Sequence, residues 1–223
     1  MIREDYVLGW IKRFVRLLAE IAGLVKADQH RAAAQRIDLA LRELLGLGAD
    51  SLQSLSDGEI MARLTLGEAT QLVREKCLIL ATLLDHLGTV LAGQDRHNEA
   101  RECLLKALHI LLGIVLQPDN PALPEYAPRV ETLCEKLTNT DLPSRTYAAL
   151  MLYHEQIGQF AKAEDDLFAL REAAPTNADV VEMGVAFYQR LLARDDAALG
   201  AGNLPRAEVE AGLAELRSGH QAT

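Results

Sequence analysis

The segment from residue 147 to residue 175 constrains the fold most, because its small and large side chains fall where two antiparallel helices need them. Gly158 is placed at the turn between the helices, where glycine relieves backbone strain. The small Ala163 lets the helices approach closely, and Pro175 ends the second helix because proline cannot donate the next helical hydrogen bond. The segment therefore predicts a helical hairpin. Its other interior positions are Leu150, His154, Leu167 and Leu170.

Hydrophobic periodicity predicts helices along the whole chain, and no segment shows a convincing polar–apolar alternation of a strand. In the first segment Trp10, Phe14, Leu17 and Ile21 recur at three- and four-residue steps and form one apolar stripe. All seven prolines lie at or after Pro118, so the first half is predicted to consist of long, unbroken helices. The helices are predicted near 3–26, 29–45, 58–64, 66–92, 96–116, 124–137, 143–157, 160–173, 177–196 and 205–217.

The small residue of the second helix recurs along the chain. Ala33, Ala100, Ala163 and Ala207 are separated by 67, 63 and 44 residues, and two tetratricopeptide units span about 68 residues. The first two separations are close to double units, as if every second hairpin had degenerated. The turn at 94–98 departs from the repeat because it lacks a glycine. The predicted fold class is all-α, with stacked antiparallel hairpins of the tetratricopeptide type forming a right-handed α-solenoid of partly degenerate repeats.

Four stretches carry a resemblance that runs from one end of the chain to the other. They are MIREDY, QRIDLALRELLGL, GQFAKAEDDLFAL and the ending GVAFYQRLLARDDAALGAGNLPRAEVEAGLAEL. Together they resemble an uncharacterised family of bacterial tetratricopeptide-like proteins of about this length. The resemblance implies a bacterial, all-helical, cytoplasmic protein, and it brings no activity, cofactor or binding site with it.

A single domain over 1–223 is predicted. The strongest break is QPDNPALPE, which holds three prolines, yet Leu123 and Tyr126 beside it are apolar enough to pack. We therefore interpret it as an ordered crossing between a long-helix half, 1–117, and a second half, 118–223. The clearest repeat lies at 144–175.

Composition limits the class of partner. The chain has 223 residues, a formal charge of −9 and a mean hydropathy of +0.02, which is typical of an ordinary globular protein. An anionic surface repels phosphate backbones, so nucleic-acid binding is not expected.

The spacing of the cysteines and the lack of a recognisable targeting signal indicate a reducing, cytoplasmic location. Cys77, Cys103 and Cys134 are odd in number and widely spaced in apolar helical runs, so we interpret them as reduced core residues. Charges interrupt the N-terminal segment, which argues against a signal peptide, and the longest uncharged run, 107–117, is too short for a membrane span.

The N-terminal stripe allows two interpretations. With Lys12, Arg13 and Arg16 beside it, the stripe can lie on an anionic membrane or a partner helix, or it can pack on the second helix of the chain. Stable membrane insertion is not expected, and internal packing is favoured because Ile37 and Leu41 provide a complementary face.

No catalytic constellation is apparent. His86 and His97 lack metal-ligand spacing, and phosphate loops, nucleophile elbows and kinase signatures are missing from the sequence. Glu164, Asp165 and Asp166 are interpreted as acids at the start of a helix, where they interact favourably with its dipole. We therefore predict no enzymatic activity, no catalytic residue, no metal and no cofactor.

A binding groove is the remaining functional prediction. In tetratricopeptide arrays the first helix of each pair lines the concave face. Applied here, this geometry gives a groove with polar residues as anchors and an apolar floor that includes Ala148 and Ala186. Such a groove suits an extended peptide or a helix. The groove-lining residues are Arg145, Leu152, Glu155, Asp179, Glu182, Gln189 and Arg190.

The function predicted from the sequence is a non-enzymatic helical-repeat scaffold that mediates protein–protein interaction through a protein or peptide partner. The alternative is a small-molecule-binding regulatory protein or hydrolase with a pocket between helices. Self-association into a homo-oligomer is a third interpretation, through an exposed apolar helix.

Overall fold

In the computed structural model, the structure describes residues 2–68, 70–119, 122–138 and 141–220, and every regular element in these ranges is an α-helix. The all-α prediction is confirmed. Among the described residues, no helix is both long and apolar enough to cross a bilayer. The helices are α1 (Ile2–Lys26), α2 (His30–Leu45), α3 (Ala49–Ser54), α4 (Asp57–Thr65), α5 (Thr70–Ala92), α6 (His97–Val115), α7 (Val130–Lys136), α8 (Ser144–Gln156), α9 (Phe160–Ala173), α10 (Ala178–Leu192), α11 (Asp196–Ala201) and α12 (Arg206–His220).

The predicted helix map departs from the structure at three places. The helix predicted over 124–137 begins only at Val130, because Pro124 and Pro128 hold the preceding residues in turns and extended backbone. The helix α3 is missing from the predicted map, since six residues are too few to display a helical period.

The helix predicted over 177–196 is in fact two helices. The Asp195 backbone is extended, and its side chain accepts a hydrogen bond from the Ala198 N–H at 2.7 Å. An aspartate in this position caps the start of a helix. Asp195 therefore separates α10 from α11 instead of continuing α10.

The chain divides into two compact units, residues 1–140 with α1 to α7 and residues 141–223 with α8 to α12. The single-domain assignment stays a prediction, with its halves 1–117 and 118–223. The boundary between the compact units falls at a different point of the sequence.

In the first unit α5 is the central helix. It packs against α1, α2, α4 and α6, and every residue from Cys77 to Leu84 is buried. The one polar side chain in this run, Thr82, donates its hydroxyl to the Leu78 carbonyl at 2.7 Å, so no hydrogen-bonding capacity is lost by burial. A helix that is apolar on all sides is expected at such a position.

The apolar stripe of α1 packs inside the first unit. Phe14, Leu17 and Ile21 are buried, and the Phe14 ring meets the edge of the Tyr126 ring at a centroid distance of 5.3 Å. The Arg36 guanidinium on α2 donates to the Glu20 carboxylate on α1 at 2.9 Å. These contacts agree with the internal-packing interpretation of the stripe.

Three helix–helix turns share one backbone geometry. Each has a residue in the left-handed region, and the N–H of the next residue bonds the carbonyl five positions back at 2.8 to 3.0 Å, as in a Schellman helix ending. The alanine five residues after the left-handed one is buried in all three cases. The left-handed residues are Asp28 (φ 58°), Asp95 (φ 60°) and Gly158 (φ 76°), and the alanines are Ala33, Ala100 and Ala163.

The turn at 94–98 therefore departs from the repeat in sequence and not in shape. Asp95 supplies the left-handed backbone that Gly158 supplies in the later turn. Aspartate and asparagine tolerate this conformation better than other residues with a β-carbon.

Neighbouring turns meet through glycine in both units. A β-carbon at Gly93, in the turn before α6, would lie 2.6 Å from the ring of His30, the first residue of α2. In the second unit Gly202 lies against Phe160, and its carbonyl accepts a hydrogen bond from the Ala161 N–H at 3.0 Å. Within each unit, consecutive helical hairpins thus lie with their turns side by side.

The prediction that Ala207, the fourth aligned alanine, packs between helices is wrong, because its side chain is exposed. Asn203 adopts the left-handed conformation (φ 58°), but α12 begins only at Arg206, so Pro205 adds a residue to the turn. Counted from the start of the helix, Val209 takes the position of the three buried alanines, two residues after Ala207, on the buried face of α12. That face consists of Val209, Leu213 and Leu216, with Gly212 against the Tyr188 ring.

The contact between α5 and α6 gives a stability prediction. A β-carbon at Gly88 would lie 2.8 Å from Leu104 Cγ and 3.1 Å from the Ala100 carbonyl oxygen. Gly88→Ala should therefore cost about 1–3 kcal/mol of unfolding free energy through overpacking. Urea unfolding followed by circular dichroism measures this cost.

Gly113→Ala is the matched control, because nothing lies within 4 Å of the β-carbon that it adds to the same pair of helices. That substitution should be neutral or stabilise by roughly 0.5–1 kcal/mol, as alanine does in a helix. Equal stability of the two variants would contradict the close approach of α5 and α6.

Candidate functional site

The predicted groove residues lie on α8 and α10 or at their ends, and the structure brings Glu155 and Arg190 together. The Arg190 guanidinium donates from Nε and Nη2 to the two carboxylate oxygens of Glu155, each at 2.7 Å. The Glu155 side chain is 11% exposed and that of Arg190 is 46% exposed. The hydrogen bond to Glu155 raises the pKa of Arg190, so the guanidinium is charged at any physiological pH. This bidentate ion pair joins the C-terminal end of α8 to that of α10.

The other predicted groove residues are accessible. Leu152 is 40% exposed and so offers an apolar side chain at the surface. The remaining residues of the prediction are polar and lie on the same two helices. Arg145, Asp179, Glu182 and Gln189 are all exposed.

His154 lies between α8 and α9, as the hairpin pattern predicts. Its Nδ1 is 2.6 Å from Asp166 Oδ2, and the two side chains are only 12% and 15% exposed. Burial raises the pKa of the Asp166 carboxyl, and the hydrogen bond with His154 opposes that rise. The pair satisfies two polar groups at the helix contact.

The interpretation of Glu164, Asp165 and Asp166 as acids of a first helical turn is wrong. Helix α9 begins at Phe160, so these residues lie beyond its first turn, where the dipole effect has fallen off. Glu164 instead accepts a hydrogen bond from the Tyr188 hydroxyl at 2.7 Å, and Asp166 pairs with His154. Burial raises the pKa of Glu164, with the Tyr188 hydrogen bond acting in the opposite direction.

A cavity that sequence reasoning does not find lies in the first unit. It is bounded by α3, α5 and α6 and has a volume of about 280 Å³. Its apolar wall consists of Leu52, Leu84, Leu87 and Cys103. The cavity depends on α3, so a sequence map without α3 cannot predict it.

The short helix α3 is held at both ends. At its start, Asp38 Oδ1 accepts the Ala49 N–H at 2.7 Å. At its end, Lys106 Nζ donates to the carbonyls of Leu52 and Leu55, the latter at 2.8 Å. A six-residue helix is not stable alone in water, and these contacts satisfy backbone groups that helix ends leave unpaired. Asp38 and Lys106 therefore position one wall of the cavity.

The thiol in the cavity wall is not activated. Burial raises the pKa of Cys103 to about 11, and it raises the pKa of Cys77 to the same range. Both thiols are protonated near pH 7, and a thiol is a far weaker nucleophile than a thiolate. None of the three cysteines, all of which lie in the described ranges, forms a disulfide bond. Among the described side chains, no group of three or more histidine, cysteine, aspartate or glutamate residues is arranged to hold a metal ion.

The chain belongs to the family of unknown function DUF6483, whose model matches residues 1–221. No curated protein and no solved structure matches the chain. The expected membership of an uncharacterised family is confirmed, while the bacterial origin and the tetratricopeptide relationship stay predictions. The family carries no assigned activity, so the function has to be inferred from the chain's own residues.

The Asp38 contact gives a pH-dependent prediction. The Arg42 guanidinium, with the Ala49 N–H helping, holds the pKa of Asp38 below its usual value. Ionised Asp38 therefore stabilises the fold at neutral pH, and this contribution is lost as the pH falls through the lowered pKa. Asp38→Ala should cost about 1 kcal/mol at pH 7, as the loss of a helix cap does.

Urea midpoints at pH 7 and at about pH 3 check this prediction, because the difference between wild type and Asp38→Ala should shrink in acid. Asp50→Ala is the control, since Asp50 is an exposed acid in the first turn of the same helix. A cost that is equal at both pH values, or equal for both variants, would contradict the role assigned to Asp38.

Proposed function

We propose that the protein is a non-enzymatic helical-repeat scaffold that binds a protein or peptide partner. Its hairpins would stack in the manner of tetratricopeptide repeats, as a short right-handed α-solenoid. The observation that carries the proposal is the turn shared by three hairpins, each with a left-handed residue followed by a buried alanine. Three copies of one turn with one packing residue are typical of repeated structural units.

The contacts between neighbouring turns support stacking. Gly93 against His30 and Gly202 against Phe160 are close approaches between consecutive hairpins of the same unit. In a repeat array each hairpin buries its apolar face against the next, and the array presents a continuous surface made by equivalent helices.

The partner would bind along α8 and α10. Leu152 offers an exposed apolar contact, and Arg190 offers donors that its bond with Glu155 leaves available, because a guanidinium has five N–H groups and the pair uses two. Rigid placement of Arg190 by Glu155 lowers the entropy lost on binding. An extended peptide or a helix with an apolar anchor and exposed backbone carbonyls suits this surface.

A hydrolase is a weaker proposal. A hydrolase needs an activated nucleophile or a base within reach of substrate. The cavity thiol is protonated at neutral pH, and the His154–Asp166 pair is mostly buried between two helices. Self-association through an exposed apolar helix remains a proposal, and so does a bacterial, cytoplasmic setting, which the resemblance of the sequence favours.

Affinity capture with a matched pair of variants tests the proposed surface. Leu152→Glu places a charge on the proposed surface, while Ile157→Glu places the same charge at the end of the same helix, where Ile157 is 42% exposed. Both variants should fold as the wild type does, since both sites face solvent. A true partner should be retained by wild type and Ile157→Glu, and its retention by Leu152→Glu should fall about tenfold or more, the loss expected for a central apolar anchor.

Quantitative mass spectrometry of the captured proteins, with light scattering of the purified chain, measures the outcome. Loss of self-association in Leu152→Glu alone would identify a second copy as the partner. Retention of the same proteins by both variants, or turnover of a metabolite by a chain that retains none, would contradict the proposal.

A further inference from the structure

We propose that the cavity bounded by α3, α5 and α6 is a binding site for a neutral, mostly apolar small molecule. The proposal does not rest on the proposed function, because the cavity lies wholly in residues 1–140 and its test makes no use of α8 or α10. It is argued from the volume, the lining and the charge pairing of the cavity.

The volume suits a small organic molecule. The cavity measures about 280 Å³, whereas an engineered apolar cavity of about 150 Å³ in another protein accommodates benzene. Ligand pockets in proteins have volumes from about 300 Å³ upward, so this cavity lies at the small end of that range. A molecule of about one or two rings, or an aliphatic chain of similar bulk, therefore fits the space.

The wall of the cavity is apolar and includes one polarisable sulfur atom. Leu52, Leu84 and Leu87 provide branched aliphatic contacts, and the Cys103 sulfur provides a polarisable one. Sulfur atoms make favourable contacts with aromatic rings. Burying an apolar ligand against these side chains is favourable at about 25 cal/mol for each Å² removed from water.

The charged side chains around the cavity already have partners. Lys106 donates to the Leu52 and Leu55 carbonyls. The Glu99 carboxylate accepts hydrogen bonds from Arg96 and from Gln53. The charged side chains that line the cavity are two acids and two bases, Glu99, Glu102, Arg101 and Lys106, so a charged ligand would lose its hydration without meeting a net counter-charge, and that loss is costly. The ligand is therefore neutral.

The last charged pair at the cavity, Arg101 and Glu102, is internally balanced, with Arg101 Nη1 3.4 Å from Glu102 Oε1. Asn98 is exposed where α6 borders the cavity, and its amide can both donate and accept. A single hydroxyl or carbonyl on the ligand would pair with Asn98, which fixes the orientation of an otherwise apolar molecule.

The test uses the full chain and the neutral two-ring dye prodan, a naphthalene that carries a carbonyl group and whose emission moves to shorter wavelength when it leaves water. Ala49 lines the cavity, so Ala49→Phe fills the space while keeping the backbone N–H that bonds Asp38. Ala62→Phe is the control, since it adds the same ring at an exposed position of the adjacent helix α4.

Wild type and Ala62→Phe should bind the dye with dissociation constants within about twofold of each other, and Ala49→Phe should bind it at least about tenfold more weakly, because the ring occupies the space that the dye needs. Equal affinities of Ala49→Phe and the wild type, or no saturable binding by the wild type, would overturn the proposal.

A second measurement needs no substitution and so decides the matter even if Ala49→Phe does not fold. Cys103 lines the cavity, and Cys134 is a partly exposed cysteine outside the cavity lining. At a dye concentration of ten times the dissociation constant, modification of Cys103 by N-ethylmaleimide should slow about tenfold, with Cys134 unchanged because it reacts without unfolding. Equal slowing of both thiols, or no slowing of Cys103, would overturn the proposal.

Discussion

The close approach of α5 and α6 is the constraint on which the first unit depends. Gly88 has no β-carbon, and Leu104 and the Ala100 backbone lie too close to the position that a β-carbon would take for one to fit without a shift. Because the two helices touch along their length, α5 can be buried on all sides, and α2 and α4 pack on its other faces. The left-handed residue Asp95 makes the short turn that this approach requires. Small residues and one turn geometry thus set the spacing of the helices, and larger apolar residues fill what remains.

The periodicity of the sequence is enough to predict most helices, because their apolar residues repeat at helical steps over three turns or more. It fails for α3, where six residues hold a helix only with the help of Asp38 and Lys106, which are distant in sequence. It also fails at Ala207, because, counted from the start of α12, the place of the buried alanines falls on Val209, two residues later. Alanine alone does not indicate a buried position, and the residues around the turn decide its register.

The candidate sites differ in how far the sequence predicts them. The residues of α8 and α10 follow from the hairpin pattern, and the pairing of Glu155 with Arg190 joins two of them. The cavity of the first unit does not follow from any pattern, since it is bounded by a helix that distant contacts position. The acids of α9 show the same limit, because their partners His154 and Tyr188 come from other helices. Local properties are readable from sequence, and contacts between elements are not.

The central claim is that three hairpins repeat one packing arrangement around a small residue. Alanine-to-leucine substitution at the four aligned positions tests it directly, with the unfolding free energy as the readout. Ala33→Leu, Ala100→Leu and Ala163→Leu should each lose about 1–3 kcal/mol through overpacking, whereas Ala207→Leu should stay within about 0.5 kcal/mol of wild type, as exposed positions do. Leucine tolerated at any of the three buried positions, or a large loss at Ala207, would contradict the claim.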